Sequence, residues 1–471
     1  MTARADAADG EGRRILIAFI VATAFVMQGI DSTLLIIAIP TISADLGIDL
    51  LLLHLAVTAY LLSLALFMPV SGWFADRFGA RTMFIISLVV FTLGSVLAGL
   101  SPNLEAMVTA RALQGVGGAL MTPLGRLIVL RTFGPGRVLD ATTWMTLPMM
   151  LGPLLGPLIG AAIISFTSWR WIFFVNVPIC LAAVACTLIF VPHDRPEGRL
   201  PFDVRGFFIA GAALVLFQLS IEHMVIPLLG PAAHLPLFGA SGLMLWIYIR
   251  YARKKQNPAI DLRVFGIQSF AVGVLGGGLG RIGMNASFLL IPLLLQTGMG
   301  MDPMLAAILT STGAVGAFAA KPLLSLSIRR AGFAWTITAL CIVGAVLTAS
   351  FGGLAFTPDL GILVVFVMLL GAVRGMYFNS LQTLTYADLP KDLLSQGVSS
   401  GGVFQQFAMG MGISVSSVIL SLLAGSHEPP GLTSFAQTFL IMAVFPLLSV
   451  PFILNLRRPP RAATTDIDPV P

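Results

Sequence analysis

The sequence predicts an all-α membrane protein with fourteen transmembrane helices, arranged as two six-helix halves and an inserted helix pair. Three observations carry that expectation. There is too little charge for a soluble fold, apolar runs recur at membrane-spanning length, and basic residues are confined to alternate loops.

Charge comes first. Of 471 residues, 57% are hydrophobic and 10% charged, against roughly 25% charged in an ordinary soluble domain. No soluble fold hides that much apolar surface, so the lipid bilayer is the expected solvent. The net charge of +6 does not point to nucleic acid, because the basic residues sit in short loops rather than on one patch. Cys180, Cys186 and Cys341 fall in apolar runs, where small packing residues are expected rather than a disulfide or metal site.

In chain order the apolar runs cover residues 15–39, 51–72, 82–100, 104–128, 138–163, 171–191, 205–225, 232–250, 267–297, 303–326, 333–352, 360–385, 395–424 and 434–455. Most are about 20 residues or longer, the length that crosses a bilayer, and each is cut off by charge, proline or glycine. The first is longer than the roughly 7 to 15 apolar residues of a cleaved leader, so it is expected to be retained.

Orientation follows from the basic residues. With a cytoplasmic N-terminus, the cytoplasmic segments hold 21 of the 27 Lys and Arg and the opposite side holds Arg170 alone; Arg111, Arg126, Arg281, Lys321 and Arg374 lie within runs. The positive-inside rule then puts both termini in the cytoplasm.

Two charged loops, "HDRPEGRLPFDVRG" (193–206) and "RYARKKQNPAIDLRVFG" (250–266), bracket two helices with little polar content. Six helices remain on either side. The expected organisation is residues 1–192, an inserted pair with its flanking loops at 193–266, and 267–471. A repeat supports it: in "PVSGWFADRFG" (69–79) and "PLLSLSIRRAG" (322–332), Pro69, Arg77 and Gly79 align with Pro322, Arg330 and Gly332 at a constant offset of 253.

The motifs give the chain a resemblance. "GWFADRFGAR" (72–81) resembles the cytoplasmic loop signature of the major facilitator superfamily, with Gly72 and Gly79 for close backbone approach and Asp76, Arg77 and Arg81 as charges for a conformational latch. "RALQGVGGALMTP" (111–123) resembles the helix 4 motif of that superfamily's proton antiporters; Gly115, Gly117 and Gly118 admit neighbouring helices and keep Arg111 and Gln114 dry. "LGPLLGPLIG" (151–160) resembles the antiporter motif of helix 5. Gly152, Gly156 and Gly160 share one face, expected to form a seam with the other half, while Pro148, Pro153 and Pro157 bend the helix. "IDSTLLIIAIP" (30–40), "WRWIFFVNVP" (169–178) and "PAIDLRVF" (258–265) are similar to hallmarks of the fourteen-spanner drug:proton antiporter branch, and "GRIG" (280–283) to a multidrug-exporter subgroup. One departure stands out: the branch has Asn five residues after the helix 1 Asp, where this chain has Ile36.

Intramembrane charge is expensive and marks function. Asp31 lies nine residues before Pro40, about 13 Å from the outer end at 1.5 Å per residue. Arg111 lies seven residues after Leu104, roughly 10 Å below the same surface. The resemblance puts helices 1 and 4 on the central cavity, so the two are expected to meet or to share a water-filled space. A nearby arginine favours an ionised carboxylate and apolar burial a protonated one, so Asp31, modulated by Arg111, is the expected proton carrier. Arg281 and Arg374 fall near mid-span with few carboxylates to pair with; Glu222 is near the outer end of an inserted helix, away from the expected cavity. Gln28, Asn285, Tyr377, Asn379 and Gln405, with Gln382 and Gln406, are the other candidates for substrate contact.

The expected function is therefore proton-coupled export of small molecules, drugs or toxic compounds, by alternating access. The surplus of intramembrane arginine opens a second reading, export of organic anions such as di- and tricarboxylates. A non-transporting receptor or sensor is a third class, weakened because both tails are about fifteen residues long and leave no output domain. No nucleophile–base cluster or metal set suggests an enzyme, and no Gly-rich loop ending in Lys-Ser/Thr suggests ATP. The expected partners are substrate, protons and lipid, with a monomer and no cofactor.

Overall fold

The computed structural model describes residues 2–133, 151–193, 202–224, 233–354, 356, 359–390, 393–425 and 430–456. Pro148 and the methionine-rich "WMTLPMM" lie outside them, as does the side chain of Pro153.

The chain divides into two compact units, Met1–Phe202 and Asp203–Pro471. The first holds α1 (Glu11–Leu46), α2 (Leu50–Phe78), α3 (Ala80–Gly99), α4 (Leu104–Phe133), α5 (Leu151–Phe166) and α6 (Trp171–Phe190). The second holds α7 (Val204–Glu222), α8 (His234–Ala252), α9 (Gln268–Gly298), α10 (Pro303–Ala319), α11 (Lys321–Leu354), α12 (Leu360–Ala387), α13 (Leu394–Ala424) and α14 (Leu432–Leu454). Fourteen helices thus match the fourteen apolar runs. Eleven of them meet both the length and the hydropathy of a membrane span on their own.

α1 is longer than its apolar run. Its 36 residues make a rod of about 54 Å at 1.5 Å per residue, so its ends project past a hydrocarbon layer of about 30 Å. At the far end Asp45 accepts bonds from the Trp169 indole N–H (2.8 Å) and the Arg170 guanidinium (2.9 Å), tying α1 to the turn before α6.

The repeat is present in the backbone. Gly79 (φ 85) and Gly332 (φ 75) both have the left-handed conformation that glycine alone adopts freely. Gly47 (φ 63) and Gly300 (φ 65) form a second pair at the same offset of 253. Two residues on, Asp49 and Asp302 each cap the next helix, accepting from Leu51 N and Met304 N at 2.8 Å. Within unit 1, α1 packs on α5, α2 on α4 and α3 on α4; within unit 2, α9 packs on α13, α10 on α12 and α11 on α12. Helix by helix these are the same pairings. Unit 2 also contains α7 and α8, packed on each other, with α7 touching α13.

Three glycines of α5 set its place and correct one expectation. A Cβ on Gly152 would lie 2.8 Å from the Gly29 Cα, on Gly156 1.9 Å from Thr33 Oγ1, and on Gly160 2.7 Å from Ile37. The seam is therefore with α1 of the same unit, because the four-residue spacing meets the matching rungs 29, 33 and 37. In the loop motif Gly79 needs its positive φ, whereas a Cβ on Gly72 would meet nothing within 4 Å among the described residues.

Candidate functional site

Asp31 on α1 and Arg111 on α4 meet inside unit 1. Arg111 Nη1 donates to Asp31 Oδ2 at 2.6 Å, with both side chains buried (2% and 0% exposed). Of the two expected arrangements, direct contact and a shared water-filled space, the structure has the first, inside the unit.

Small residues make the approach possible. A Cβ on Gly115 would sit 2.5 Å from the Tyr60 carbonyl of α2, and one on Gly117 2.5 Å from the Phe91 backbone of α3. Only hydrogens at these positions let α4 press Arg111 into the bundle. The guanidinium then lies over the Tyr60 ring, with Cζ 4.3 Å from its centroid, an arrangement that stabilises a cation with little water.

Every oxygen of Asp31 is occupied. Oδ1 accepts from Gln114 Nε2 and from Asn176 Nδ2, each at 2.8 Å. Arg111 Nη1 also donates to Gln114 Oε1 at 2.6 Å. Asn176 continues outward to Ser95 Oγ at 2.8 Å, and Ser95 donates to the Phe173 carbonyl. The α1 carboxylate is thus held from α4 and α6, and α3 joins the network through Asn176. Among the described residues, two buried polar atoms of the network, Arg111 Nη2 and Asn176 Oδ1, have no hydrogen-bond partner. A buried network left open at two atoms is a candidate for rearrangement rather than for permanent scaffolding.

Asn176, Ser95 and Tyr60 escaped the sequence reading. Asn176 had a signal, since it is the one amide in the run "WIFFVNVP". Ser95 and Tyr60 had none beyond their burial in α3 and α2.

The rest of the motif residues mostly hold the unit together. Arg81 Nη2 donates to the Leu188 carbonyl at the end of α6 (2.6 Å). Arg77 is exposed, with its guanidinium over Trp73, and Asp76 is half-buried beside it. Gln28 crosslinks α1 to α4, accepting from Thr122 Oγ1 at 2.6 Å and donating to the Gly118 carbonyl at 3.4 Å. Ile36 is packed at 3% exposure, so the position where the branch has Asn does not line a cavity here.

In unit 2 the candidates separate. Arg281 and Gln405 share one cleft with Gln382, Thr385, Tyr386 and Phe404. The Arg281 guanidinium lies 5.0 Å from the Phe378 ring. Arg374 sits 3.9 Å from the Phe288 ring and donates to Ser287 Oγ at 3.0 Å. Among the described residues no carboxylate pairs with either arginine. Tyr377 is fully buried and donates to the Gly277 carbonyl, and Asn285 is buried where α13 presses on α9, with its Oδ1 unpartnered among the described residues. Asn379 is exposed and bonds its own helix at Gly375. One π-helical turn, Val272–Gly276, interrupts α9 before Arg281 and a second, Leu294–Gly298, ends it; such turns are frequent at functional sites.

The repeat shows how unequal the units are. Asp31 and Tyr60 correspond to Met284 and Gly313 at the offset of 253, while Arg111 and Gln114 correspond to Val367 and Leu370 at an offset of 256. The register is fixed by contact: Gly371 lies against the Gly313 carbonyl as Gly115 lies against that of Tyr60. The ionisable network of unit 1 is therefore apolar in unit 2. Conversely, Gln28 and Thr122, which share a hydrogen bond, become Arg281 and Phe378, which share a cation–π contact.

Comparison with known proteins follows the same lines. Residues 21–413 match the model of the Major Facilitator Superfamily. The proteins from Cronobacter sakazakii and Salmonella heidelberg provisionally named multidrug resistance protein MdtD are 32% and 33% identical over 94% of both chains. Among solved structures, the POT family transporter PepTSo superposes with a TM-score of 0.67 at 13% identity, covering 96% of this chain and 99% of that one. A D-xylose-proton symporter gives 0.64 at 15%, covering 93% and 98%. At such identities the structural likeness speaks for the fold.

Proposed function

This chain belongs to the Major Facilitator Superfamily, and from that premise we propose that it is a proton-coupled antiporter that exports small drug-like or toxic compounds. It is a membrane transporter rather than an enzyme. In the proposed reading it works in a bacterial cytoplasmic membrane, as a monomer with both termini in the cytoplasm, and protons entering down their gradient drive substrate out.

The observation that carries this is the sealed Asp31–Arg111 pair. An ion pair in a dry helix bundle is stable only while both charges are present. A proton on Asp31 cancels one of them and leaves Arg111 uncompensated, so proton binding favours a different packing of α1 against α4. That is the differential stabilisation a proton needs in order to shift a conformational equilibrium. The names of the relatives support the substrate class. In everted vesicles, proton-driven export that is lost in Asp31→Asn is the expected result; retained coupling would overturn the assignment.

A second reading has its own observation. Among the described residues Arg281 lies against the Phe378 ring, Arg374 lies against the Phe288 ring with a hydrogen bond to Ser287, and no carboxylate pairs with either, which suits an organic anion better than a lipophilic cation. Competition by di- or tricarboxylates in proteoliposomes, lost in Arg281→Ala or Arg374→Ala, would favour it over the drug reading.

A further inference from the structure

The sequence places Glu222 near the end of an inserted helix, where it looks peripheral. The structure puts it in a buried polar cluster. Glu222 is 6% exposed, and its neighbours Gln218 and His223 are 5% exposed. Its Oε1 accepts from Gln218 Nε2 at 2.8 Å and from Ser414 Oγ of α13 at 2.6 Å. Gln218 donates to Ser414 Oγ as well, so three side chains from two helices close a triangle inside apolar spans.

An ionisable group inside apolar spans is costly and marks function. What a carboxylate adds is exchange of a proton, and the donors Gln218 and Ser414 are neutral. Their hydrogen bonds strengthen when the group is ionised and weaken when it is protonated. Ser414 therefore registers the charge on Glu222. Ser414 stands nine residues after Gln405 on the same helix, about 13 Å along its axis, and Gln405 lines the cleft that holds Arg281. The titratable groups of the elements packed here are Arg205 at the far end of α7, His223, next in sequence, and His234, Tyr248, Arg250 and Tyr251 of α8; α13 carries none.

We propose that Glu222 is a second proton-exchange site, and that α13 reads its charge through Ser414 and carries the change to the Arg281 cleft. The step is a simple one: the Glu222 carboxyl releases a proton to leave a carboxylate, and takes it back. Its place in a transport cycle rests on the proton-coupled reading above, but the proton exchange is measurable without transport.

The test is infrared difference spectroscopy of the purified full-length protein, titrated between acid and alkaline pH in lipid nanodiscs. The expected result is a protonated-carboxyl band that titrates, persists in Asp31→Asn and is lost in Glu222→Gln. The same band undiminished in Glu222→Gln would overturn the proposal. Ser414→Ala keeps the carboxyl and is expected to move the band's midpoint by about half a pH unit or more, as loss of one hydrogen bond to a charge requires. An unmoved midpoint would overturn the part assigned to α13. Proton-driven transport that survives Asp31→Asn, with the Glu222 band lost in Glu222→Gln, would sink the Asp31 mechanism and leave this one standing.

Discussion

Arg111 Nη1 stands 2.6 Å from Asp31 Oδ2, and both side chains lie inside unit 1. Removing one partner strands the other charge, which costs about 3–5 kcal/mol in buried pairs, whereas removing both is often nearly neutral. Arg111→Leu is therefore expected to lower stability by about that amount. Adding Asp31→Asn to it should restore most of the loss. Thermal unfolding of the two single variants and the double variant closes the cycle. Additive losses would mean the charges do not see each other.

Asn176 holds the second oxygen of the same carboxylate, at 2.8 Å, and is anchored by Ser95. A hydrogen bond to a charged group contributes about 1.5–3 kcal/mol, and one pH unit corresponds to about 1.4 kcal/mol. Asn176→Ala should shift the pH profile of transport by about one unit, with substrate affinity at a fixed saturating pH little changed. An unaltered profile would reduce Asn176 to packing.

Gly152 separates two backbones. An added methyl would meet the Gly29 Cα at 2.8 Å, and neither helix can give by rotating a side chain. At Gly160 the obstacles nearer than 3 Å are the ends of Ile37 and Leu34, which can repack. Gly152→Ala is expected to lose about 1–3 kcal/mol as an overpacked contact, and Gly160→Ala less. Equal melting temperatures for the two variants would place the seam elsewhere.

How much of this the sequence disclosed depends on the range of the interaction. Fourteen spans were legible because bilayer thickness acts on every run of residues alike. The pairing of Asp31 with Arg111 was legible because two costly charges at similar depth have few other places to go. Local geometry was legible too, as with Gly79, whose motif implied a tight turn. Direction around a helix was not. Gly152, Gly156 and Gly160 declare a small-residue face, but the sequence does not say which helix it meets. Asp31 was expected either to meet Arg111 or to share water with it, and only the fold shows the direct, buried contact. Glu222 was placed at its helix end but not against α13, because height in the membrane can be counted along the chain, whereas burial against α13 is a long-range contact. Arg281 and Gln405 were found as intramembrane polar residues, and only the fold shows that they share a cleft.

Asp45 offers a test at the membrane surface, on the part of α1 that projects past the apolar run ending at Pro40. Hydrogen bonds from the Trp169 indole and then the Arg170 guanidinium hold its carboxyl below the usual carboxylate range. A carboxyl whose folded value is depressed stabilises the fold above its unfolded value, near 3.9. That contribution is lost as pH falls through the lower, folded value, where both states are protonated. Asp45→Asn is therefore expected to melt at a lower temperature than the parent protein at pH 7. The gap should close progressively as the pH is taken below about 4. High salt should narrow it at neutral pH as well, because the group is open to solvent and the Arg170 part of the contact is screened. Melting curves across pH and ionic strength check all three points, and a gap that persists unchanged in acid would show that the Asp45 contact does not act through its charge.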